Sequence, residues 1–217
     1  MPPEPAADRH VPLAPVSAGA AFTTLPPAAR FVLRGRAEAI QAAGARFGCP
    51  LPEQSCRAAV TGGGRAALWL GPDEWLLLAP MADGASLASA LEQAMGTNPH
   101  SLVEVSHRQI AIEVSGPHAL AILNAGCPLD LDPGAFPVGM CSRTVLAKSE
   151  IVLWRTAPET FHVEVARSFA RYVWSFLEEA SRWSAGDGPA GHEAEPQSSS
   201  SSRAAAWRRD DPSPLRD

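Results

Sequence analysis

The run Ile122-Leu123-Asn124-Ala125-Gly126-Cys127-Pro128 constrains this chain more than any other segment, because it must stop a helix and start a loop. A glycine weakens the helix end, and a proline two residues later cannot continue it, having no N–H and a ring that crowds the preceding turn. Leu129-Asp130-Leu131-Asp132 and Phe136-Pro137-Val138-Gly139-Met140 then lead into Cys141-Ser142-Arg143-Thr144, which reads as the start of a strand. A short helix, a long ordered loop and a strand in that order call for a packed domain around them.

The rest of the chain supplies that body. Phe31 to Arg34 reads as a strand and Arg36 to Phe47 as an alanine-rich helix closed by Gly48 ahead of Pro50 and Pro52. Three short strands follow at Cys56–Thr61, Ala66–Leu70 and Glu74–Ala79, separated by the turn sequences Gly62-Gly63-Gly64 and Gly71-Pro72-Asp73. Asp83 is placed to cap a helix reaching Met95, with Leu87, Leu91, Ala94 and Met95 on one face. Alternation from Leu102 through Val114 predicts one long strand or a pair. Gly116-Pro117 opens the next helix. Strands at Ser142–Ala147, Glu150–Arg155 and Thr160–Val165 precede a last helix, Ser168 to Arg182, whose Phe169, Val173, Phe176, Leu177 and Ala180 recur at helical spacing. Helices interspersed with hairpin-like strand groups predict an α+β fold with mostly antiparallel sheets.

Both ends differ in character from the middle. Residues 1–28 are proline-rich and without period, and are expected to form an extended arm ahead of a globular domain at 29–183. Residues 184–217 run through glycines, Pro189 and Ser198 to Ser202 and are expected to be disordered. The net charge of −5 comes from acids and bases that are interspersed, so no basic stripe offers itself to nucleic acid. No apolar run approaches the ~20 residues needed to cross a bilayer, and the N-terminus has no secretory pattern. Cys49, Cys56, Cys127 and Cys141 form no close Cys-x-x-Cys, and reduced thiols in a cytoplasmic protein are expected.

Candidate chemistry is thin. Gly62-Gly63-Gly64 lacks the Gly-Lys-Ser/Thr of a phosphate loop. Ser106, His107 and Arg108 adjoin, but neighbours in a strand face opposite ways and do not make a triad. His162 and Glu164 fall on one strand face and are expected to pair. Asp130 and Asp132 bracket Leu131 in the manner of side chains that hold nearby backbone amides. Cys141 has no adjacent histidine to activate it. The histidines lack metal-ligand spacing, so neither a catalytic set nor a metal or cofactor site is predicted for this chain.

Taken with Gly71-Pro72-Asp73-Glu74-Trp75-Leu76-Leu77-Leu78 and Ser106-His107-Arg108, the segment 122–144 resembles the gamma subunit of heterotetrameric sarcosine oxidase, over roughly residues 29 to 183. That family shares a lineage with the folate-binding aminomethyltransferase domain of the glycine cleavage system. The resemblance implies a complex with alpha, beta and delta subunits that oxidises sarcosine to glycine, passes electrons to oxygen to form hydrogen peroxide and delivers the one-carbon unit to tetrahydrofolate. FAD, FMN, NAD and zinc are then expected on the other subunits, with none bound here. The Lys-Gly-Cys-Tyr-x-Gly-Gln motif of the related iron–sulfur-linked folate proteins is not matched by Pro137-Val138-Gly139-Met140-Cys141-Ser142-Arg143. Aromatic and arginine side chains favour buried subunit contacts, which makes Trp75, His107, Arg108, Arg143 and Trp154 the candidate interface residues. Two other roles remain open at this level: an independent folate-binding one-carbon transferase, and an assembly or regulatory factor that binds through the proline-rich arm.

Overall fold

The computed structural model describes residues 19–184, and the expectations for residues 1–18 and 185–217 lie outside that range. Two five-stranded sheets, antiparallel throughout, carry the fold. In one, β3 (Ala58–Val60), β4 (Ala66–Gly71), β5 (Glu74–Pro80), β2 (Ala28–Gly35) and β6 (His100–Glu104) lie side by side in that order. In the other the order is β1 (Ala21–Thr24), β7 (Gln109–Ser115), β10 (Thr160–Ala166), β9 (Ser149–Ala157) and β8 (Cys141–Leu146).

Strand alternation sorts the side chains into three cores. Phe31, Leu33, Trp75 and Leu77 point from the first sheet onto α1 (Ala37–Phe47) and α2 (Gly84–Met95). Ile112, Val114, Leu153, Phe161 and Val163 point from the second onto α3 (Ala119–Asn124) and α4 (Ala170–Ser184). The opposite faces of both sheets meet each other through Leu68, Leu76, Leu78, Cys141 and Val152. Each sheet is therefore covered on both sides, in the layer order helices, sheet, sheet, helices. At one corner the backbone itself joins the layers, since Arg57 bridges Met140 and the Cys141 N–H donates to the Cys56 carbonyl at 3.0 Å.

Local chemistry accounts for most boundaries. Helix α1 ends where Gly48 adopts φ 105°, a left-handed value that glycine takes without a Cβ clash, and its N–H donates to the Gly44 carbonyl. Asp83 does not cap α2: its carboxylate is held instead by Arg65, with Nη2–Oδ2 2.8 Å. The proline-rich segment is not all arm, because residues 21–24 form β1, with Phe22 opposite Val114 and edge-on to Trp174 at 6.0 Å. The four residues of β1 are too few to display a period, yet burial of Phe22 secures them. Of the two readings of Leu102 to Val114, one long strand or a pair, the structure has two strands, which lie in different sheets and are joined by a turn at residues 105–108 where Arg108 N–H donates to the Val105 carbonyl.

Gly126 acts by closeness of approach. A Cβ there would fall 2.4 Å from Cζ of Phe176 and 3.0 Å from the backbone N of Ala147, whose N–H donates to the Gly126 carbonyl at 2.9 Å. Gly126→Ala is expected to cost about 1–3 kcal/mol by overpacking. A urea titration would read this as a lower midpoint with an unchanged slope.

Candidate functional site

The two sheets splay at one end into a cleft of about 440 Å³, floored by Val32, Leu76 and Val152 and rimmed by Arg34, Arg108 and Arg143. Its charges come from the inward-facing positions of β2, β5, β8 and β10, the faces that elsewhere carry the apolar contact between sheets. Polar groups there are desolvated, so each needs a partner.

Two ion clusters provide them. At the deep end the Glu164 carboxylate, fully buried, accepts from Arg30 Nε at 2.7 Å and is bonded to His162 Nε2 at 2.8 Å. Burial by itself would raise the pKa of Glu164. The opposing hydrogen bonds and charges of His162 and Arg30 outweigh it and hold the carboxyl below its ordinary value. Nearer the mouth, Glu74 is shared by two arginines: Arg34 Nη2 donates to one oxygen and Arg143 Nη2 to the other, the latter at 2.5 Å. Here too burial pulls the pKa up, and the paired guanidinium groups bring it below the usual carboxylate range.

The residues expected at an interface separate into two groups. Arg108 and Arg143 both reach the cleft rim, while His107 is exposed on the turn beside Arg108. Trp154 is half-buried, tilted against the His162 ring at 5.6 Å, and its buried Nε1 has no hydrogen-bond partner among the described residues. Trp75 is 4% exposed, packs in the core under α1 and α2, and donates its Nε1–H to the Pro52 carbonyl at 2.8 Å. It presents no surface to a partner. Its place at the head of the apolar run Trp75-Leu76-Leu77-Leu78 was the available signal for that. Sequence reading missed the Arg30–Glu164 pair altogether, since the two residues are 134 positions apart and no local pattern links them.

The serine and aspartates singled out in the sequence are likewise engaged by neighbouring groups. Ser106 Oγ accepts the Arg30 backbone N–H and donates to Glu104, so its hydroxyl is engaged away from any histidine. Asp130 and Asp132 hold backbone amides two residues on, at 3.0 and 2.8 Å. Among the described residues no group of three or more His, Cys, Asp or Glu side chains gathers around a point where a metal ion would sit, and no helix is long and apolar enough to cross a membrane.

All four thiols are free. Burial pushes Cys141 up to about 12, and it raises Cys49 as well. At pH 8 only about one Cys141 in ten thousand would be thiolate, the form that reacts. A maleimide reagent on the native protein is expected to label Cys49 and Cys56 and to reach Cys127 and Cys141 only after denaturation, as mass spectrometry of the peptides would show.

Residues 36–183 match the model of the sarcosine oxidase, gamma subunit family. A sarcosine oxidase subunit gamma from Corynebacterium sp. (strain P-1) is 38% identical over 133 residues, covering 61% of this chain and 64% of the relative. One from Arthrobacter sp. is 38% identical over 136 residues, 63% and 66% of the two chains. The chain thus spans just under two thirds of the length of these curated relatives. A chain of the heterotetrameric sarcosine oxidase from Corynebacterium sp. U-96, solved with pyrrole 2-carboxylate, superposes with a TM-score of 0.72 at 28% identity, covering 76% of this chain and 85% of that one. The glycine cleavage aminomethyltransferase T of Bartonella henselae shares the fold, with a TM-score of 0.57 at 12% identity over 76% of this chain and 49% of that one. With more than half of its residues matched by the family model and its fold superposing on a chain of that enzyme, this protein belongs to the sarcosine oxidase gamma subunit family.

Proposed function

We propose that the chain is a structural subunit of a heterotetrameric sarcosine oxidase, docked beside alpha, beta and delta subunits and carrying no active site of its own. The observation that carries this reading is the match over residues 36–183 together with the superposition on 85% of a chain from such a heterotetramer. The complex would oxidise sarcosine to glycine, form hydrogen peroxide and pass the one-carbon unit to tetrahydrofolate. Flavins, NAD and zinc would reside on the other subunits. Support for a bracing role comes from the cleft, where the two buried carboxylates are spent on basic neighbours: Glu164 on Arg30 and His162, Glu74 on Arg34 and Arg143. Neither Glu164 nor Glu74 is thereby left free to act as a general base, which acyl or proton transfer would require. Four unpaired thiols suit a reducing compartment, and we place the complex in the cytoplasm.

The test is purification of the full chain alone and after co-expression with alpha, beta and delta subunits. We expect co-elution with them, and a lone chain without flavin absorbance or peroxide production from sarcosine. Turnover by the lone chain would overturn the reading.

A further inference from the structure

The outer edge of β6, the turn that follows it and the mouth of the inter-sheet cleft lie together, and several groups there lack counterparts. β6 is the last strand of its sheet, so alternate N–H and C=O groups along His100–Glu104 face away from β2. Val103 and Phe169, 50% and 47% exposed, are large apolar side chains on the cleft wall. Gln109 lines the same cleft with its Oε1 buried and without a hydrogen-bond partner among the described residues. The guanidinium of Arg108 stands exposed at the rim with no hydrogen-bond or ion-pair partner among the described residues. Nearby carboxylates do not answer it. Glu164 is taken by Arg30 and His162, Glu104 by Ser106 Oγ, Glu74 by Arg34 and Arg143, and the exposed Glu150 lies 4.0 Å from Arg143 Nε.

We infer that this edge is the docking site for an extended acidic and apolar segment of a partner subunit, added as a further strand on β6 with a carboxylate on Arg108. The inference rests on the reading of the chain as a subunit of a larger complex. Its occupant follows from the chemistry of the site. A free strand edge offers regularly spaced donors and acceptors that an extended backbone satisfies. Alternate side chains of such a strand turn toward the cleft, where they cover Val103 and Phe169. Arginine at the rim calls for a carboxylate. A second copy of this chain would bring a β6 whose one acid, Glu104, is already bonded to Ser106.

The experiment uses the full chain co-expressed with alpha, beta and delta subunits. Arg108→Glu and Val103→Asp are expected to lower the affinity for the other subunits about ten-fold or more, the loss of an interface anchor. Their urea midpoints should stay at the parent value, since neither side chain is buried. Tyr172→Glu and Trp183→Glu, on the exposed face of α4, are expected to assemble like the parent. Hydrogen exchange should slow at the outward amides of β6 on assembly. Parent-like assembly of the β6 and Arg108 variants, with unchanged exchange at β6, would overturn the inference while leaving the proposed function standing. Failure of the parent chain to assemble would overturn both. A concentration-dependent dimer of the lone chain, abolished by Val103→Asp, would assign the edge to a second copy and overturn the inference as well.

Discussion

Glu164→Ala is expected to remove about 3–5 kcal/mol of stability, because it leaves the Arg30 guanidinium, 2% exposed, as an unpaired charge between the two sheets. The loss is large against the ~5–15 kcal/mol that holds a domain of this size together. Removing both charges tells a different story. Arg30→Met with Glu164→Leu replaces the desolvated pair by apolar volume, and the double variant should regain most of what the single one loses. Recovery will not be complete, since Arg30 Nη1 also donates to the Ala28 carbonyl at 2.9 Å and His162 loses its acceptor. Urea titrations of the parent, the two singles and the double measure the coupling directly, and additive losses would show that the pair is not coupled.

The same pair sets a dependence on pH. The folded-state pKa of Glu164 lies below the ordinary value of 4.5, so its contribution is fully present above that value and is lost as pH falls through the folded pKa. Stability of the parent should therefore drop as the medium is acidified below about pH 4.5, and Glu164→Gln should flatten that slope. Some slope should persist in the variant, since Glu74 is displaced in the same direction. A variant that retained the whole slope would place the acid sensitivity elsewhere.

What the chain reveals in advance, and what it hides, divides by distance along the sequence. Ala37–Phe47 and its Gly48 stop, the strands at Ala66–Gly71 and Glu74–Pro80, and the hairpin across Ala157-Pro158-Glu159 are local matters of period and turn chemistry, and the sequence displays them. So is the pairing of His162 with Glu164, two residues apart on one strand face. The layer order is hidden for a physical reason. Both faces of β5 are buried, which erases the inside/outside alternation that would have shown that a second sheet lies behind it. Equally hidden is the change of sheet between β6 and β7, because the alternation continues through the turn that separates them. At the site, Arg108 and Arg143 were visible as arginines suited to contacts. The acid that Arg143 shares with Arg34 comes from 69 residues away and follows from topology alone.

Arg155→Met should cost roughly 2–6 kcal/mol, for a reason unlike that of Glu164. Arg155 is 3% exposed and, among the described residues, has no carboxylate within ion-pair distance. Its guanidinium lies 5.1 Å from the Phe161 ring centroid and donates to carbonyls: Nη1 to Leu131 at 3.2 Å and to Phe136 at 2.9 Å, Nε to Pro158 at 3.2 Å. Leu131 and Phe136 anchor the loop between α3 and β8 in the core, at 0% and 1% exposure. Their carbonyls cannot turn to water, and methionine would leave each short of a donor at about 1–3 kcal/mol apiece. Pro158 is exposed, so its carbonyl can be rehydrated and adds little. Arg155→Lys should fall between parent and methionine, because one ammonium cannot span carbonyls that the planar fork reaches together. The loop is the part that should respond first. Limited proteolysis is expected to cut Arg155→Met within residues 127–140 while the parent resists. Equal resistance would show that packing of Leu131 and Phe136 holds the loop without the arginine.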